Sequence, residues 1–203
     1  MSKTQLGESS RPDRDELFCR EETQYNRKKT VLITAGVILA VIAIIVAAGE
    51  LIRFVKYREN RELCTAGQYE RAIPGLIELG DYRECPILLS ECYEVLAGRK
   101  LGEHEWDSAR EYYAKAAEIN GQYFQIQEVY MKEGRYRRNT GDWDGAAEAF
   151  ALAGDYRDAK EQIRETRIQQ AKALEEAGDP EGAAAILEAL QNGEETDALP
   201  DAT

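Results

Sequence analysis

The hydrophobic positions of this chain follow one pattern in its first quarter and another in the remainder. Residues 31–49 form an uninterrupted run without a charged side chain, and Leu51 and Ile52 extend it past Glu50. A helix over this run would be about 30 Å long, the thickness of the hydrocarbon core of a bilayer. Basic residues flank the run on both sides, as they do at membrane interfaces. The pattern predicts a transmembrane helix over residues 31–52, embedded in the lipid bilayer.

A cleavable signal peptide is the alternative for this segment, because Ala47, Ala48 and Gly49 are small. The run is longer than the usual ~7–15-residue apolar core of a signal peptide, so we expect an uncleaved anchor. Lys and Arg are equally frequent over the fifteen residues on each side, and the positive-inside rule gives no orientation. A short tail before a first apolar helix most often stays in the cytoplasm. We therefore expect a single-pass plasma-membrane protein whose remaining domain is extracytoplasmic.

Beyond residue 53 the chain repeats an apolar pattern with a period of 37 residues. The position that defines the period holds alanine in four copies: Ala72, Ala109, Ala146 and Ala183. Apolar residues follow each alanine at four and seven positions, which places them on one face of a helix. A second helical stretch lies upstream of the alanine helix. Each copy thus predicts a pair of helices, and a period in the 20–50 range is typical of a helical array.

Small and polar residues mark the two corners of each repeat. Before the alanine helix, glycine occurs in three copies and His104 takes its place in the second copy. Glycine suits the left-handed conformation that ends a helix. Asp142 and Asp179 follow this corner and are expected to cap the next helix. At the other corner the segment Gly-Asp-Tyr-Arg occurs at 80–83 and again at 154–157. Its aspartate is likewise expected to cap the helix that follows.

The spacing of glycine, aromatic residue, alanine and large apolar residue resembles that of the tetratricopeptide repeat, although that family has 34 residues per repeat. Sel-one-like repeats share the helical-hairpin plan and are the alternative. The resemblance covers residues 57–191 and implies an α-solenoid of about four helix-turn-helix repeats over residues 53–191. With the transmembrane helix predicted from the apolar run, the expected fold is all-α. Polar, aperiodic composition predicts disordered tails at residues 1–30 and 192–203.

In the tetratricopeptide family, the first helices of the repeats line a concave face that binds a peptide. The resemblance places ten residues of this chain on that face: Glu91, Glu94, Glu128, Met131, Arg135, Arg138, Asn139, Glu165, Ile168 and Lys172. Charge on the face is mixed, with one basic cluster at residues 132–138. A solvated helix face without a ligand is the alternative interpretation.

The chain carries 26 Lys plus Arg against 38 Asp plus Glu, a net charge of -12 that argues against nucleic acid as a partner. His104 is the single histidine, so no catalytic site is expected. Cys64, Cys85 and Cys92 with His104 match no usual zinc spacing, and core packing is expected for the cysteines. Cys85 and Cys92 are also too far apart along a helix for a disulfide.

These observations predict a non-enzymatic protein without a metal or cofactor. We expect it to bind or scaffold a protein or peptide partner at the membrane surface. An accessory or sensor subunit of a membrane-associated complex or enzyme is the alternative function.

Overall fold

The computed structural model describes the backbone of residues 14–193 and the side chains of residues 24–193. Within this part the chain is all-α and forms eight helices. They are α1 (Arg14–Thr65), α2 (Tyr69–Leu79), α3 (Cys85–Gly102), α4 (Trp106–Asn120), α5 (Phe124–Asn139), α6 (Trp143–Leu152), α7 (Ala159–Glu176) and α8 (Pro180–Asn192). The chain divides into two compact units, Met1–Val55 and Lys56–Thr203.

Helix α1 carries the long apolar segment with its side chains exposed. Its most apolar window has a mean hydropathy of 3.0 and none of that window is buried. Val37, Ile38 and Leu39 are each more than half exposed. Within the described residues this is the one helix long and apolar enough to cross a membrane. The same length and composition suit a single membrane span or a signal sequence.

The amino-terminal region differs from the expected disordered tail of residues 1–30. Residues 14–30 belong to α1, while residues 1–13 lie outside the described part. Helix formers such as Glu, Leu, Arg and Lys dominate this stretch, which holds neither glycine nor proline. Extending an existing helix also avoids the cost of nucleating a new one. At the other end α8 reaches Asn192, and the rest of the predicted tail, residues 194–203, lies outside the described part.

Helices α2 to α8 pack in sequence order, each against the next. The period of 37 residues reappears in the helix bounds, because α2, α4, α6 and α8 begin at residues 69, 106, 143 and 180. The alanine that defines the period is fully buried in all four helices. A methyl side chain at this position lets the backbone of the neighbouring helix approach closely. The predicted pairs of helices are therefore present.

The corner before each of these helices adopts the expected left-handed conformation. The φ angles are 72° at Gly67, 81° at Gly141 and 87° at Gly178, and His104 has a φ of 60° at the equivalent position. The two predicted aspartate caps are also confirmed. Asp142 Oδ1 accepts a hydrogen bond from the Gly145 amide at 3.1 Å, and Asp179 makes the same contact in α8.

The Gly-Asp-Tyr-Arg corners differ from the expectation. Asp81 and Asp155 do not cap, because α3 and α7 begin four residues after them. The extra turn lets the corner tyrosine pack against the core in both copies, Tyr82 in the first and Tyr156 in the second. In α3 the start is further favoured by Pro86, since proline suits the first turn of a helix.

Two clusters of buried side chains stabilise the Lys56–Thr203 unit. The first core is formed by Tyr57, Ala72, Leu76, Leu79, Cys85 and Cys92. The second core is formed by Met131, Ala146, Ala147, Phe150, Ala153, Ala159 and Ile163. In the second core α5 approaches α6 so closely that a Cβ atom at Gly134 would lie 2.7 Å from the Phe150 ring.

This close approach leads to a first prediction with a matched control. Gly134→Ala should lower the free energy of unfolding by about 1–3 kcal/mol, because the new methyl group overpacks against the buried ring. Gly98 also lies inside a helix, but a Cβ atom there would meet nothing within 4 Å. Gly98→Ala should therefore raise stability by about 0.5–1 kcal/mol.

Urea denaturation of the full chain in nonionic detergent measures both changes. The fluorescence of the two tryptophans, Trp106 and Trp143, reports on the Lys56–Thr203 unit alone. A gain of stability in both variants would contradict the close approach of α5 and α6.

Candidate functional site

The ten residues predicted to line a binding face lie on three alternate helices. Glu91 and Glu94 are on α3, five are on α5, and Glu165, Ile168 and Lys172 are on α7. Nine of the ten are at least partly exposed. Met131 is the exception, because it is fully buried in the second core. It therefore packs between helices and does not contribute to an accessible surface.

A cleft of the Lys56–Thr203 unit that two of these ten residues help to line lies between the end of α1, the start of α2 and the middle of α3. We call it the α1–α3 cleft. Its volume is about 330 Å³, enough for one or two side chains and at the low end of ligand pockets. Its lining consists of Cys64, Thr65, Tyr69, Leu88, Glu91, Cys92, Glu94 and Val95. The cleft is thus mainly apolar, with two carboxylates among its walls.

The two carboxylates of the α1–α3 cleft differ in their surroundings. Glu91 is exposed, whereas Glu94 is half-buried and accepts a hydrogen bond from Asn120 Nδ2 at 2.7 Å. The same amide donates to Ser90 Oγ at 2.8 Å. The end of α4 therefore fixes one carboxylate, while the other can turn toward a ligand. Val95, 43% exposed, gives the cleft an accessible apolar wall.

A smaller pocket of about 100 Å³ lies beside the amino-terminal half of α5. Glu128 lines this pocket. Its Oε2 atom accepts a hydrogen bond from Tyr156 Oη and forms an ion pair with the Arg157 guanidinium, each at 3.0 Å. Burial and the hydrogen bond to Glu128 raise the pKa of Tyr156. Because Glu128 is engaged by the second Gly-Asp-Tyr-Arg corner, its visible role is to hold that corner against α5.

Arg138 also makes internal contacts. Its guanidinium donates to Gln162 Oε1 on α7 at 2.9 Å and lies 5.7 Å from the centre of the Phe150 ring. These contacts join α5 to both of the next two helices. Glu165 on α7 accepts a hydrogen bond from Gln169 Nε2 at 2.8 Å. The remaining predicted positions on α5 and α7 are at least partly exposed: Arg135, Asn139, Ile168 and Lys172.

A buried ionic contact on α5 was not predicted from the sequence. The Glu133 side chain is only 5% exposed and pairs with Arg110 of α4 at 2.5 Å and with Arg137 at 2.6 Å. Burial lowers the pKa of Arg110, but the hydrogen bonds to Glu133 and Asp107 outweigh it, so the net shift is upward. Arg137 belongs by sequence to the basic cluster at residues 132–138, yet its guanidinium pairs with Glu133 and Asp142. The cluster is therefore less basic than its composition implies.

The three cysteines and His104 do not come together as one set of metal ligands in the described part of the chain. Cys64 and Cys92 are adjacent, with their sulfur atoms 3.2 Å apart. His104 instead stacks on Tyr136, with ring centres 4.2 Å apart. Among residues 24–193 no group of three or more His, Cys, Asp or Glu side chains is arranged to hold a metal ion.

Comparisons with family models, with curated proteins and with solved structures found no match to this chain.

Proposed function

We propose that this protein is a membrane-anchored helical-repeat protein that binds a segment of a partner protein in the α1–α3 cleft. The observation that carries the proposal is the composition of that cleft. Tyr69, Leu88 and Val95 offer apolar surface, and Glu91 and Glu94 add negative charge beside it. A segment with an apolar side chain next to a lysine or arginine complements this arrangement.

The charge of the whole unit favours the same kind of partner. Residues 56–203 contain 18 Lys plus Arg and 31 Asp plus Glu, so the surface repels acidic ligands and nucleic acid. A basic segment would be attracted over a distance of about one Debye length.

A tetratricopeptide-like solenoid is the architecture that we propose for the repeats. The constant spacing of 37 residues between alternate helix starts supports it. Contacts between alternate helices support it as well: Arg138 of α5 reaches Gln162 of α7, and Cys64 of α1 reaches Cys92 of α3. In a solenoid such contacts arise because equivalent helices of neighbouring repeats stack on one another.

The anchor supplies the second half of the proposal. We propose that residues 31–52 span the membrane, with the amino-terminal tail in the cytoplasm and the repeats on the extracytoplasmic side. The exposed apolar surface of α1 supports the span, since such a surface in water would promote aggregation. The expected role is to hold a partner at the membrane surface without catalysing a reaction.

Site-specific photo-crosslinking in native membranes tests the binding proposal. A photoreactive residue replacing Val95 in the cleft should give a discrete crosslinked product. The same residue at Ile87, which lies on α3 but is not part of the cleft lining, should give none.

Charge reversal provides the control for this experiment. Glu91→Arg combined with Glu94→Arg should reduce the Val95 product at least tenfold, because a basic partner would be repelled. Glu148→Arg changes an exposed carboxylate on α6 and should leave the product unchanged. Equal crosslinking from positions 95 and 87, or no effect of the double reversal, would contradict the proposal.

A further inference from the structure

Two cysteines that are 28 residues apart in the sequence meet at the α1–α3 cleft. Cys64 lies in the last turn of α1, and Cys92 lies in the middle of α3. Their Sγ atoms are 3.2 Å apart, and both are free thiols in this structure. A disulfide bond is about 2.05 Å long, so the two sulfur atoms need to approach by only about 1.2 Å to form one.

The third cysteine of the unit cannot compete for Cys92. Cys85 and Cys92 lie seven positions apart on α3, about 10 Å along the helix axis, which is beyond the reach of a disulfide. Cys64 and Cys92 also differ in their exposure to solvent at the cleft. Cys64 is partly exposed, whereas Cys92 is 1% exposed.

We propose that Cys64 and Cys92 are a redox-active pair that forms an intramolecular disulfide by exchange with an external disulfide, either oxidised glutathione or a disulfide-donating oxidoreductase. In the first step the Cys64 thiolate attacks one sulfur of the donor. The Cys64–donor bond forms, the donor S–S bond breaks, and one donor thiol leaves.

In the second step the Cys92 sulfur attacks Cys64 Sγ and displaces the second donor sulfur. The proton of Cys92 goes to that departing thiolate, so two cysteine thiols are oxidised and the donor is reduced to two thiols. The order of attack follows from the surroundings. Burial, together with the contact to Cys64, raises the pKa of Cys92, and Cys92 therefore stays protonated until a mixed disulfide forms beside it.

The bond would tie the end of α1 covalently to α3 and enclose α2 in the closed loop. The end of the apolar helix and the first core would then be held together at the floor of the α1–α3 cleft. Because a cross-link over such a loop restricts the unfolded chain, oxidation should raise Tm by about 10 °C. This inference does not depend on whether the cleft binds a partner.

The test uses the full chain in nonionic detergent with Cys19→Ser, which removes a thiol that could link two chains. The protein is equilibrated with oxidised or reduced glutathione, quenched with acid and alkylated with N-ethylmaleimide. A glutamyl endopeptidase then cuts after Glu91 and separates Cys85 from Cys92. We expect one cross-linked pair of peptides containing Cys64 and Cys92, alkylated Cys85, and a rise in Tm that dithiothreitol reverses.

Two variants separate this outcome from a general effect of oxidation. Cys64→Ser, at a partly exposed position, should abolish both the cross-link and the rise in Tm. Cys85→Ala should keep both. Alkylation of Cys64 and Cys92 under oxidising conditions, a bond from Cys64 to Cys85, or an unchanged rise in the Cys64→Ser protein would each overturn the proposal.

Discussion

Replacing Phe150 with alanine is expected to lower the free energy of unfolding by about 3–5 kcal/mol. The ring is fully buried in the second core, which also contains Met131 and Ala146, and it lies against α5 at Gly134. Its removal leaves a cavity that the surrounding helices can fill only in part. Since domains of this size are typically stable by about 5–15 kcal/mol, the loss is a large share of the total. Urea denaturation followed by tryptophan fluorescence measures it.

Leu152 provides the matched control, because it lies on the same helix and is 49% exposed. Leu152→Ala should cost about 1 kcal/mol or less. A sharper control combines Phe150→Ala with Gly134→Ala. The alanine methyl group would then occupy space that the ring has vacated, so Gly134→Ala should lose its cost in this background and the two changes should not add. Additive losses, or equal losses at positions 150 and 152, would contradict the packing of α5 on α6.

Those parts of the fold that depend on local sequence could be predicted. The buried alanines, the left-handed glycine corners and the caps at Asp142 and Asp179 each follow from a few neighbouring residues. The longer Gly-Asp-Tyr-Arg corners could not, because their length depends on the position of the core that receives Tyr82 and Tyr156. The polarity of residues 14–30 predicts a disordered tail. Their helix propensity instead favours a continuation of α1, which is what the structure has.

Periodicity assigns the ten predicted residues to α3, α5 and α7, but it does not identify which side chains line a cleft: only Glu91 and Glu94 line the α1–α3 cleft. Alternate helices do carry the expected positions, yet periodicity does not distinguish a side chain that faces solvent from one that reaches a neighbouring helix. Met131 is buried, and Arg138 is directed to Gln162. Contacts across long sequence separations leave no periodic signal, as with the ion pair between Glu133 and Arg110 and the contact between Cys64 and Cys92.

A second large effect is expected on membrane association when the apolar segment is changed. Replacing Ala40 and Val41 with arginine should remove the protein from the membrane fraction. Both residues lie near the centre of the uncharged run, where each arginine costs about 2.5–3.5 kcal/mol of insertion free energy. Two such changes cost about 5–7 kcal/mol, which cancels the roughly 4–7 kcal/mol that the twelve remaining Leu, Ile and Val residues of 31–52 contribute. A large fraction of the protein should therefore fail to insert. Alkaline carbonate extraction followed by quantification of pellet and supernatant measures the change.

Leucine at the same two positions is the control for this experiment. It preserves the length and hydrophobicity of the segment, and the Ala40→Leu, Val41→Leu protein should stay in the pellet like the unmodified chain. Retention of the double arginine variant in the pellet would mean that residues 31–52 are not what holds the protein to the membrane.

The central claim, an intact chain that carries its helical repeats on a membrane span, is tested most directly by extraction of the protein with a different epitope tag at each end. Alkaline carbonate should leave a single species in the pellet, and that species should react with antibodies to both tags. A soluble species that carries only the carboxy-terminal tag and begins near Gly49 would show that the segment is cleaved as a signal peptide, and would contradict the anchor.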